Sequence, residues 1–571
     1  MHRRSFLIST ASALSVGALG LARAKAPSTE TASISPFWAR LAAANDAFIP
    51  DLLRSQLENG AVTDAYGIAN AHDTARLITV LATARHAPAS RHFRDPSLLP
   101  SIERAAAFLL EAQHKDGTID LVATNFHSPP DTAFVVESIG PLTALLHREA
   151  DPSEMRLREQ LGTFLRRAGE ALVTGGVHTP NHRWVVCAAL AGIHAQFPDP
   201  RYITRINQWL AETIDIDADG QYTEKSTSVY SPIVDRALLT VARHLNRPEL
   251  RDPVRRNLEM TLFYVHPDGE VVTEASKRQD KYQRGSMARY YYSFRTLARL
   301  DGNGRFAAMA DQIERTAEAQ LTRELLTSLE EPEFANELPT RKPLPENYAK
   351  VFPASQLARI RRASASATIL AQNSTLFSFR KGAAALEALR CASAFFGKGQ
   401  FSGERLEVLD DGYQLEQRLE GPYFQPLSTE QIMGGEHVRM APNGTLAVGG
   451  RAARAQSNVQ HLLARAVFKE KSGRFQIAME ITGTDGVPVA IELAFRHGGR
   501  LDGVTPVKGI ADAYLLKSGT GRYTVGDDSI SFGPGQAAHS WTQLRGALPK
   551  WDGQSVYLTG LTPFRINLEI S

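Results

Sequence analysis

The chain has 571 residues, of which 43% are hydrophobic and 22% charged, with 42 Gly and 30 Pro. That length gives room for several domains with a sizeable core, and the composition excludes a peptide, a disordered chain, a collagen-like repeat and a coiled coil. The formal net charge of +3 resides in the first 24 residues, which hold Arg3, Arg4 and Arg23 and no acid. The remainder is balanced, so no global field draws it to nucleic acid or a membrane, and an anionic ligand must be met by a local basic cluster.

Residues 1–24 read as a signal peptide of twin-arginine type. Arg3-Arg4-Ser5-Phe6-Leu7 opens an apolar stretch from Phe6 to Leu21, and Ala22-Arg23-Ala24 closes it with a small-x-small site. The expected location is periplasmic, with no membrane association after signal cleavage; an N-terminal anchor is the alternative, disfavoured by the short apolar run. Cys187 and Cys391 are the only cysteines. Cys187 lies in the apolar run Trp184–Leu190, which fits a buried free thiol, with a disulfide left open.

From about 36 to 329 the period is helical. Ser101–Gln113, Thr132–Arg148, Met155–Val173, His182–Gln196, Arg201–Ile214, Val229–Leu245 and Ser286–Leu300 carry apolar residues at i, i+3 and i+4. The same punctuation recurs as His114-Lys-Asp-Gly117, Asp217-Ala-Asp-Gly220 and His266-Pro-Asp-Gly269, at separations of 103 and 49 residues. The latter is about one helical hairpin, so the expectation is an (α/α) toroid with the Asp-Gly turns gathered at one mouth. Residues 330–369, with Pro332, Pro339, Pro343, Pro345 and Pro353, read as a linker. Beyond it the period becomes two, in Phe475/Ile477/Met479/Ile481, Val489/Ile491/Leu493/Phe495 and Phe564/Ile566/Leu568/Ile570, which predicts an antiparallel β-sandwich over 370–571. The fold class is α+β multidomain, helical toroid first and sandwich second.

Two stretches of the toroid carry candidate chemistry. In Thr179-Pro-Asn-His-Arg-Trp184, Pro180 and Asn181 are helix-start residues, which places Asn181 and His182 among unpaired backbone N–H groups that bind an anion and keep a His neutral. A plain N-cap with an exposed His is the other reading. About 40 residues on, Asp219-Gly220 precedes Glu224, Ser226 and Tyr230, the last at the next helix start. A phenol there, near cations, ionises more readily because the phenolate is the charged form being stabilised; a core tyrosine is the other reading.

Together these stretches resemble the toroid-plus-sandwich polysaccharide lyases, the heparinase II/III and oligoalginate lyase group. Asn181-His182, Asp219-Gly220, Glu224, Ser226 and Tyr230 fit the group's order, although Tyr230 lies one residue further from Glu224 than its pattern. The group's Gly-His-rich segment at the start of the sandwich is missing, since Phe395–Phe401 holds no His. The resemblance therefore implies a divergent branch, such as the lyases that remove rhamnose from glucuronate.

Other stretches supply candidate substrate contacts. Lys277, Arg278, Lys281 and Arg284 crowd eight residues after a mouth turn, suited to holding a carboxylate, with Tyr282 among them. Asn125 and His127 lie before a helix on a Pro-Pro loop, where capping by Asp131 is the other reading. Trp184, Glu224 and the run Arg289-Tyr-Tyr-Tyr292 complete the candidates, the last also fitting a core stripe. Arg496-His497, His539, Trp541 and Arg545 of the sandwich have no diagnostic spacing.

The resemblance implies a lyase that cleaves a uronic-acid-containing polysaccharide or oligosaccharide at C4 by β-elimination, with Asn181 and Arg278 or a neighbouring cation on the carboxylate, Tyr230 as base, acid or both, and His182 as the second acid/base candidate. Exo action is expected, because the His127 and Lys277–Arg284 loops narrow the mouth. The reaction needs no cofactor; a structural divalent ion in the sandwich is left open, since no metal-ligand spacing is present. A glycoside hydrolase drawing on Asp219, Glu224 or Asp131 is the alternative, and a carbohydrate-binding protein a third.

Overall fold

The computed structural model describes residues 35–434 and 454–571, so residues 1–24, expected to be a signal peptide, lie outside the described residues. Twelve helices build the first domain: α1 (Pro36–Ser55), α2 (Ala71–His86), α3 (Leu99–Ala112), α4 (Pro129–Glu149), α5 (Met155–Thr174), α6 (Pro180–Gln196), α7 (Pro200–Ala211), α8 (Tyr230–His244), α9 (Arg251–Thr261), α10 (Tyr291–Asp301), α11 (Gly304–Ala317) and α12 (Arg323–Glu330). They alternate between two layers. Helices α2, α4, α6 and α8 pack successively against one another as an inner wall, each with an outer helix behind it. Helix α6 is apolar nearly all round, from Trp184 to Ile193, as a helix covered on both sides must be.

Local chemistry sets the joints. Outer helices follow Asp95-Pro96, Asp151-Pro152 and Asp199-Pro200, where each Asp side chain accepts a backbone N–H and Pro occupies the first helical position. Outer helices end in the Asp-Gly turns. Gly117 has φ +84°, and a Cβ there would stand 2.1 Å from the carbonyl oxygen of Arg167 on the next outer helix. Gly220 (φ +97°) approaches Arg256 in the same way. A fourth turn of this kind, at Asn59-Gly60, meets Arg104. Glycine is required by both the backbone sign and the close approach.

After these turns come strand pairs, Val62–Thr63 with Ala69–Asn70, Ile119–Leu121 with Asn125–Ser128, and Glu270–Val271 with Gly285–Ser286. The first two lead straight into α2 and α4, whose starts meet where His72 Nε2 lies 3.9 Å from Asp131 Oδ1.

The second domain is two stacked sheets. One runs, in spatial order, Thr505–Pro506, Ala513–Leu515, Gln554–Leu561, Pro488–Phe495, Ala384–Ser393, Phe377–Lys381, Ala365–Leu370, Leu357–Arg362, Asn347–Phe352. The other runs Leu406–Leu409, Gly412–Phe424, Gln456–Lys471, Arg474–Gly483, Phe564–Ile570, Asp528–Gly533, Gly521–Val525, Arg500–Asp502. Pairing is antiparallel save for Ala513–Leu515, which lies parallel to Gln554–Leu561. Phe377, Phe379, Phe468 and Phe475 pack between the sheets.

Two expectations need correction. The 330–369 linker does not exist as such, because three strands of the first sheet, beginning at Asn347, fall inside it. Pro332 starts a short helical turn and Pro353 sits in the turn between two of these strands, so only the prolines between them mark an extended connector. The run from Ser286 to Leu300 is a helical turn (Met287–Tyr290) followed by α10, and Tyr290, Tyr291 and Tyr292 are core residues. Cys187 and Cys391 are buried free thiols. Among the described residues no helix is long and apolar enough to cross a membrane, and no cluster of three or more His, Cys, Asp or Glu is arranged to hold a metal ion.

The domains are joined by buried and half-buried charged groups. Arg496 makes two bonds to Glu270, of 2.9 and 2.7 Å, and Arg359, fully buried, donates to the Phe263 carbonyl. Glu274 accepts from Thr368 and Ser378 at 2.7 and 2.6 Å. Burial would raise its carboxyl, but His266, Arg359 and Ser378 outweigh that and hold it well below the usual range.

Candidate active site

Helix starts on the inner wall gather the candidate residues. Pro180 opens α6, and Asn181, 1% exposed, turns its amide toward the loop before α8. There Glu224 Oε2 accepts from Asn181 Nδ2 at 2.7 Å and from the Asn181 backbone N–H at 3.2 Å. The second amide hydrogen goes to Thr179 Oγ1 at 3.1 Å. Both donors are thus spent on the protein, which fixes the amide orientation and leaves Oδ1 as the free group.

The loop carrying Glu224 is stitched to the 273–284 segment. Ser276 Oγ accepts from the Thr227 N–H, and Asp280 Oδ2 accepts from the Ser228 N–H and hydroxyl. Ser226 Oγ accepts from the Tyr230 N–H at 3.1 Å and so starts α8. This stitching sets the guanidinium of Arg278 5.3 Å from the Tyr230 ring centroid and lets Gln279 Nε2 donate to the Tyr230 hydroxyl. Arg278 Nε also stands 3.9 Å from Glu224 Oε1.

Electrostatics follow from burial. Burial pushes the His182 imidazole down to about 4, helped by His178 and Arg278 and opposed by Asp131, so it is neutral at ordinary pH. The His178 ring lies edge-on to it at 4.7 Å. Burial raises the Glu224 carboxyl, against the opposing hydrogen bonds from Asn181 and the Arg278 charge. Lys277 is lowered by burial and by the neighbouring Lys225 and Lys281 charges.

Four buried polar atoms here have no hydrogen-bond partner: Asn181 Oδ1, His182 Nδ1, Glu224 Oε1 and Arg278 Nε. Folded proteins rarely leave such atoms unpaired; Glu224 Oε1 and Arg278 Nε face each other at 3.9 Å, whereas Asn181 Oδ1 and His182 Nδ1 have no partner in the protein.

Asn181, His182, Glu224, Tyr230 and Arg278 are therefore brought together. Asn125 stands one step away, donating to Asp131 Oδ2 at 2.9 Å. His127 is exposed, stacked on His114 at 3.8 Å with Nδ1 on Asp116. Lys281 lies over the Tyr282 ring at 4.8 Å. Tyr282 faces the sandwich, its hydroxyl bonded to Asn373 at 3.0 Å and its ring edge-on to Trp551. Trp184 is a correction: it is 1% exposed inside the toroid core and reaches no substrate. Two residues on a helix are about 200° of rotation, so a tryptophan at that spacing from His182 faces the opposite side. Arg496, considered for the cleft border, is the inter-domain clamp described above. Gln279 and Asp280 escaped the sequence reading, because their contacts join separate loops and leave no local pattern; His178, four residues before His182, escaped it as well.

No family model matches this sequence, and no curated protein matches it. Solved structures do match the fold. The Streptomyces coelicolor A3 chondroitin AC lyase, solved with chondroitin sulphate, aligns over 94% of this chain and 80% of its own, with TM-score 0.53 and 13% identity. Heparinase III aligns over 94% and 83%, with TM-score 0.53 and 11% identity. A Paenibacillus xanthan lyase aligns over 94% of this chain and 55% of its own, with TM-score 0.55 and 10% identity. The chain has their fold. At such identities the likeness is one of architecture, toroid and sandwich together, and the chemistry has to be argued from the side chains.

Proposed function

We propose that the protein is a polysaccharide or oligosaccharide lyase that cleaves the bond at C4 of a uronic acid by β-elimination and leaves an unsaturated uronate. The observation that carries this reading is the set of four orphaned polar atoms beside Tyr230. Elimination needs the C6 carboxylate neutralised, a base for the C5 proton and an acid for the leaving oxygen. Arg278 supplies the cation for the carboxylate. Asn181, with its donors held by Glu224 and Thr179, offers an acceptor, which suits a carboxyl group bound in its protonated, neutral form. A neutral carboxyl is the state in which the C5 proton is most acidic. Tyr230, placed by Gln279 and Arg278, is the proton-transfer group at C5 and at the leaving oxygen, and neutral His182 is the second acceptor.

The hydrolase reading loses support from the same geometry. It needs two free carboxylates. Asp131 is taken up by Asn125 and Ser128 and Asp219 by the Ser355 N–H, so Glu224, bonded to Asn181 through one oxygen only, has no free carboxylate to pair with.

We further propose that action is from chain ends and in the periplasm, the location that the twin-arginine segment supports. A periplasmic enzyme meets oligosaccharides small enough to have crossed an outer membrane. The test is incubation of the mature protein with a panel of uronic-acid polysaccharides, read by ultraviolet absorbance of the conjugated product. A panel that yields reducing ends without that absorbance replaces the lyase by a hydrolase. Release of mono- and disaccharides with little loss of viscosity supports action from ends, and a rapid viscosity drop rejects it.

A further inference from the structure

The segment 273–284, which brings Arg278 and Gln279 to Tyr230, belongs to the toroid in sequence and to both domains in its contacts. Its base is closed by the strand pair Glu270–Val271 with Gly285–Ser286 and by the Thr273 hydroxyl, which donates to the Gln283 carbonyl at 2.6 Å. On the toroid side Ser276 and Asp280 bond to Thr227 and Ser228, and the Lys277 N–H donates to the Lys225 carbonyl at 2.7 Å. On the sandwich side the Glu274 carboxylate accepts from Thr368 and Ser378, and its carbonyl accepts from Asn373 Nδ2 at 2.8 Å. Tyr282 is the second anchor on that side. Its hydroxyl donates to Asn373 Oδ1 at 3.0 Å and accepts from Thr375 Oγ1 at 3.1 Å, and its ring stands edge-on to Trp551 with centroids 4.6 Å apart. Trp551 is itself fixed by the bond from its indole N–H to Glu387 at 3.2 Å.

Two observations single out Tyr282. Its backbone is left-handed, with φ +65°, a conformation that a side chain of this size holds only where its surroundings impose it. Those surroundings are strands and loops of the other domain. The second observation is the pattern of anchorage within the segment. Ser276 and Asp280 are buried, whereas Lys277 and Gln279 between them are exposed and Arg278 is half-buried. Arg278 and Gln279 bond or stack only on Glu224 and Tyr230, so their placement is set by the anchors on either side. The Tyr282 hydroxyl, spent on one donated and one accepted bond, is not free for the substrate contact that its place in the basic cluster led us to expect.

We infer that Tyr282 is a positioning residue, through which the sandwich grips the loop and sets Arg278 and Gln279 against Tyr230. The second domain thereby acts in turnover without this residue touching the substrate. The inference rests on the elimination reading for the part that Tyr230 plays, and on the contacts alone for the holding of the loop. Displacing reacting groups by about 1 Å can cost about 10²-fold, and loss of the hydroxyl loosens the loop without freeing it, so Tyr282→Phe should lower kcat/KM roughly tenfold. Trp551→Leu, which removes the ring from the sandwich side, should act in the same direction.

The test has two arms. The first needs no substrate: the mature wild-type protein, Tyr282→Phe and Trp551→Leu are digested briefly with trypsin and the cuts are located by mass spectrometry. The loop offers trypsin Lys277, Arg278, Lys281 and Arg284. Cleavage there should be roughly tenfold faster in both variants, with cleavage elsewhere and Tm little changed. Variants on opposite sides of the contact keep this arm readable when one of them fails to fold. In the second arm Tyr282→Phe is made in wild type and in Gln279→Ala, and turnover of uronic-acid substrates is followed both by absorbance of the unsaturated product and by new reducing ends. A residue that acts through the loop loses most of its effect once Gln279 is gone, so the tenfold loss should shrink to about threefold or less. The same loss in both backgrounds means that Tyr282 meets the substrate directly and overturns the inference. Unchanged cleavage of the loop in both variants overturns it as well, and so does faster cleavage with wild-type kcat/KM. Reducing ends without absorbance overturn the elimination reading alone, because the comparison of backgrounds is then read from the reducing ends. With no turnover of any uronate the elimination reading fails, and the trypsin arm decides whether the sandwich holds the loop.

Discussion

Replacing Asn181 by Ala separates a catalytic role from a structural one. The substitution deletes a 2.7 Å bond to a buried carboxylate and a 3.1 Å bond to Thr179, while the backbone N–H that also serves Glu224 is retained. A hydrogen bond to a charged group is worth about 1.5–3 kcal/mol and a neutral one about 1 kcal/mol, so the loss is roughly 2–4 kcal/mol. For a domain of this size that lowers Tm by roughly 4–8 °C. If Asn181 also faces the reacting carboxyl, kcat falls by about 10²–10³ on top of this, the scale of removing one positioned polar group in an active site. Asn181→Asp sharpens the distinction, because it keeps the shape and sets a second carboxyl against Glu224. Two carboxylates at that spacing share a proton, which raises their folded pKa above the unfolded values near 4. Below about pH 4 both states hold the protons and the variant matches wild type; as pH rises, the unfolded chain releases protons that the folded pair keeps, and stability is lost. Calorimetric Tm values between about pH 4 and pH 8, beside kcat/KM on the same samples, give both readouts. A flat Tm difference for Asn181→Asp, with wild-type kcat for Asn181→Ala, would refute both the pairing and its place in the reaction.

Three other outcomes are expected. Tyr230→Phe should abolish turnover with little change in Tm, since the hydroxyl's protein contact is the exposed Gln279 amide; activity above a few per cent of wild type removes Tyr230 from the reaction. His182, held near 4 against about 6.5 unfolded, is neutral above its folded value, so activity should persist to about pH 5 and fail as pH drops through about 4. Its contribution to stability is present above about pH 6.5 and lost on going down to about pH 4, by at most roughly 3 kcal/mol, which His182→Gln should abolish in Tm-versus-pH curves. Gly117→Ala places a Cβ 2.1 Å from a backbone oxygen and should cost about 2–4 kcal/mol, whereas Gly67→Ala, also at positive φ but in open space, should cost about 1–2 kcal/mol; equal denaturation midpoints for the two would show that packing of the turns is immaterial.

The parts of the fold legible in the sequence are those governed by local chemistry. Asp-Gly turns announce a positive φ, Asp-Pro pairs announce helix starts, and strict alternation announces the strands Arg474–Gly483 and Phe564–Ile570. Leu357–Arg362 escaped because it is covered on both faces and carries three arginines, one fully buried, so no alternation marks it. Helix α9 escaped because its sequence, Arg251-Asp-Pro-Val-Arg-Arg, presents a thin apolar stripe, as an outer helix can. At the site, Asn181 and Tyr230 were legible through their position at helix starts, and Glu224 through the family resemblance. Gln279 was not, since its closeness to Tyr230 depends on Ser276 and Asp280 joining two loops about 50 residues apart in sequence.

The repeat itself explains where chemistry became available. Each inner helix presents its N-terminus to the same mouth, so the sequence there reads Asn70 to His72 at α2, Ser128 to Asp131 at α4, Asn181-His182 at α6 and Tyr230 at α8. The positive ends of parallel helix dipoles favour an anion and disfavour a charged imidazole, which matches the neutral His72 and His182. At α2 and α4 a strand pair covers the joint. The joints before α6 and α8 dispense with it, and only the isolated bridge Ile216 to Tyr222 remains. The polar groups of those two helix starts are consequently free to turn toward one another, with Glu224 tying Asn181 to the loop that begins Tyr230's helix. A chain whose charge is balanced beyond residue 24 thereby holds a local field suited to an anion, and the same geometry that builds the toroid brings the acceptor, the phenol and the guanidinium together.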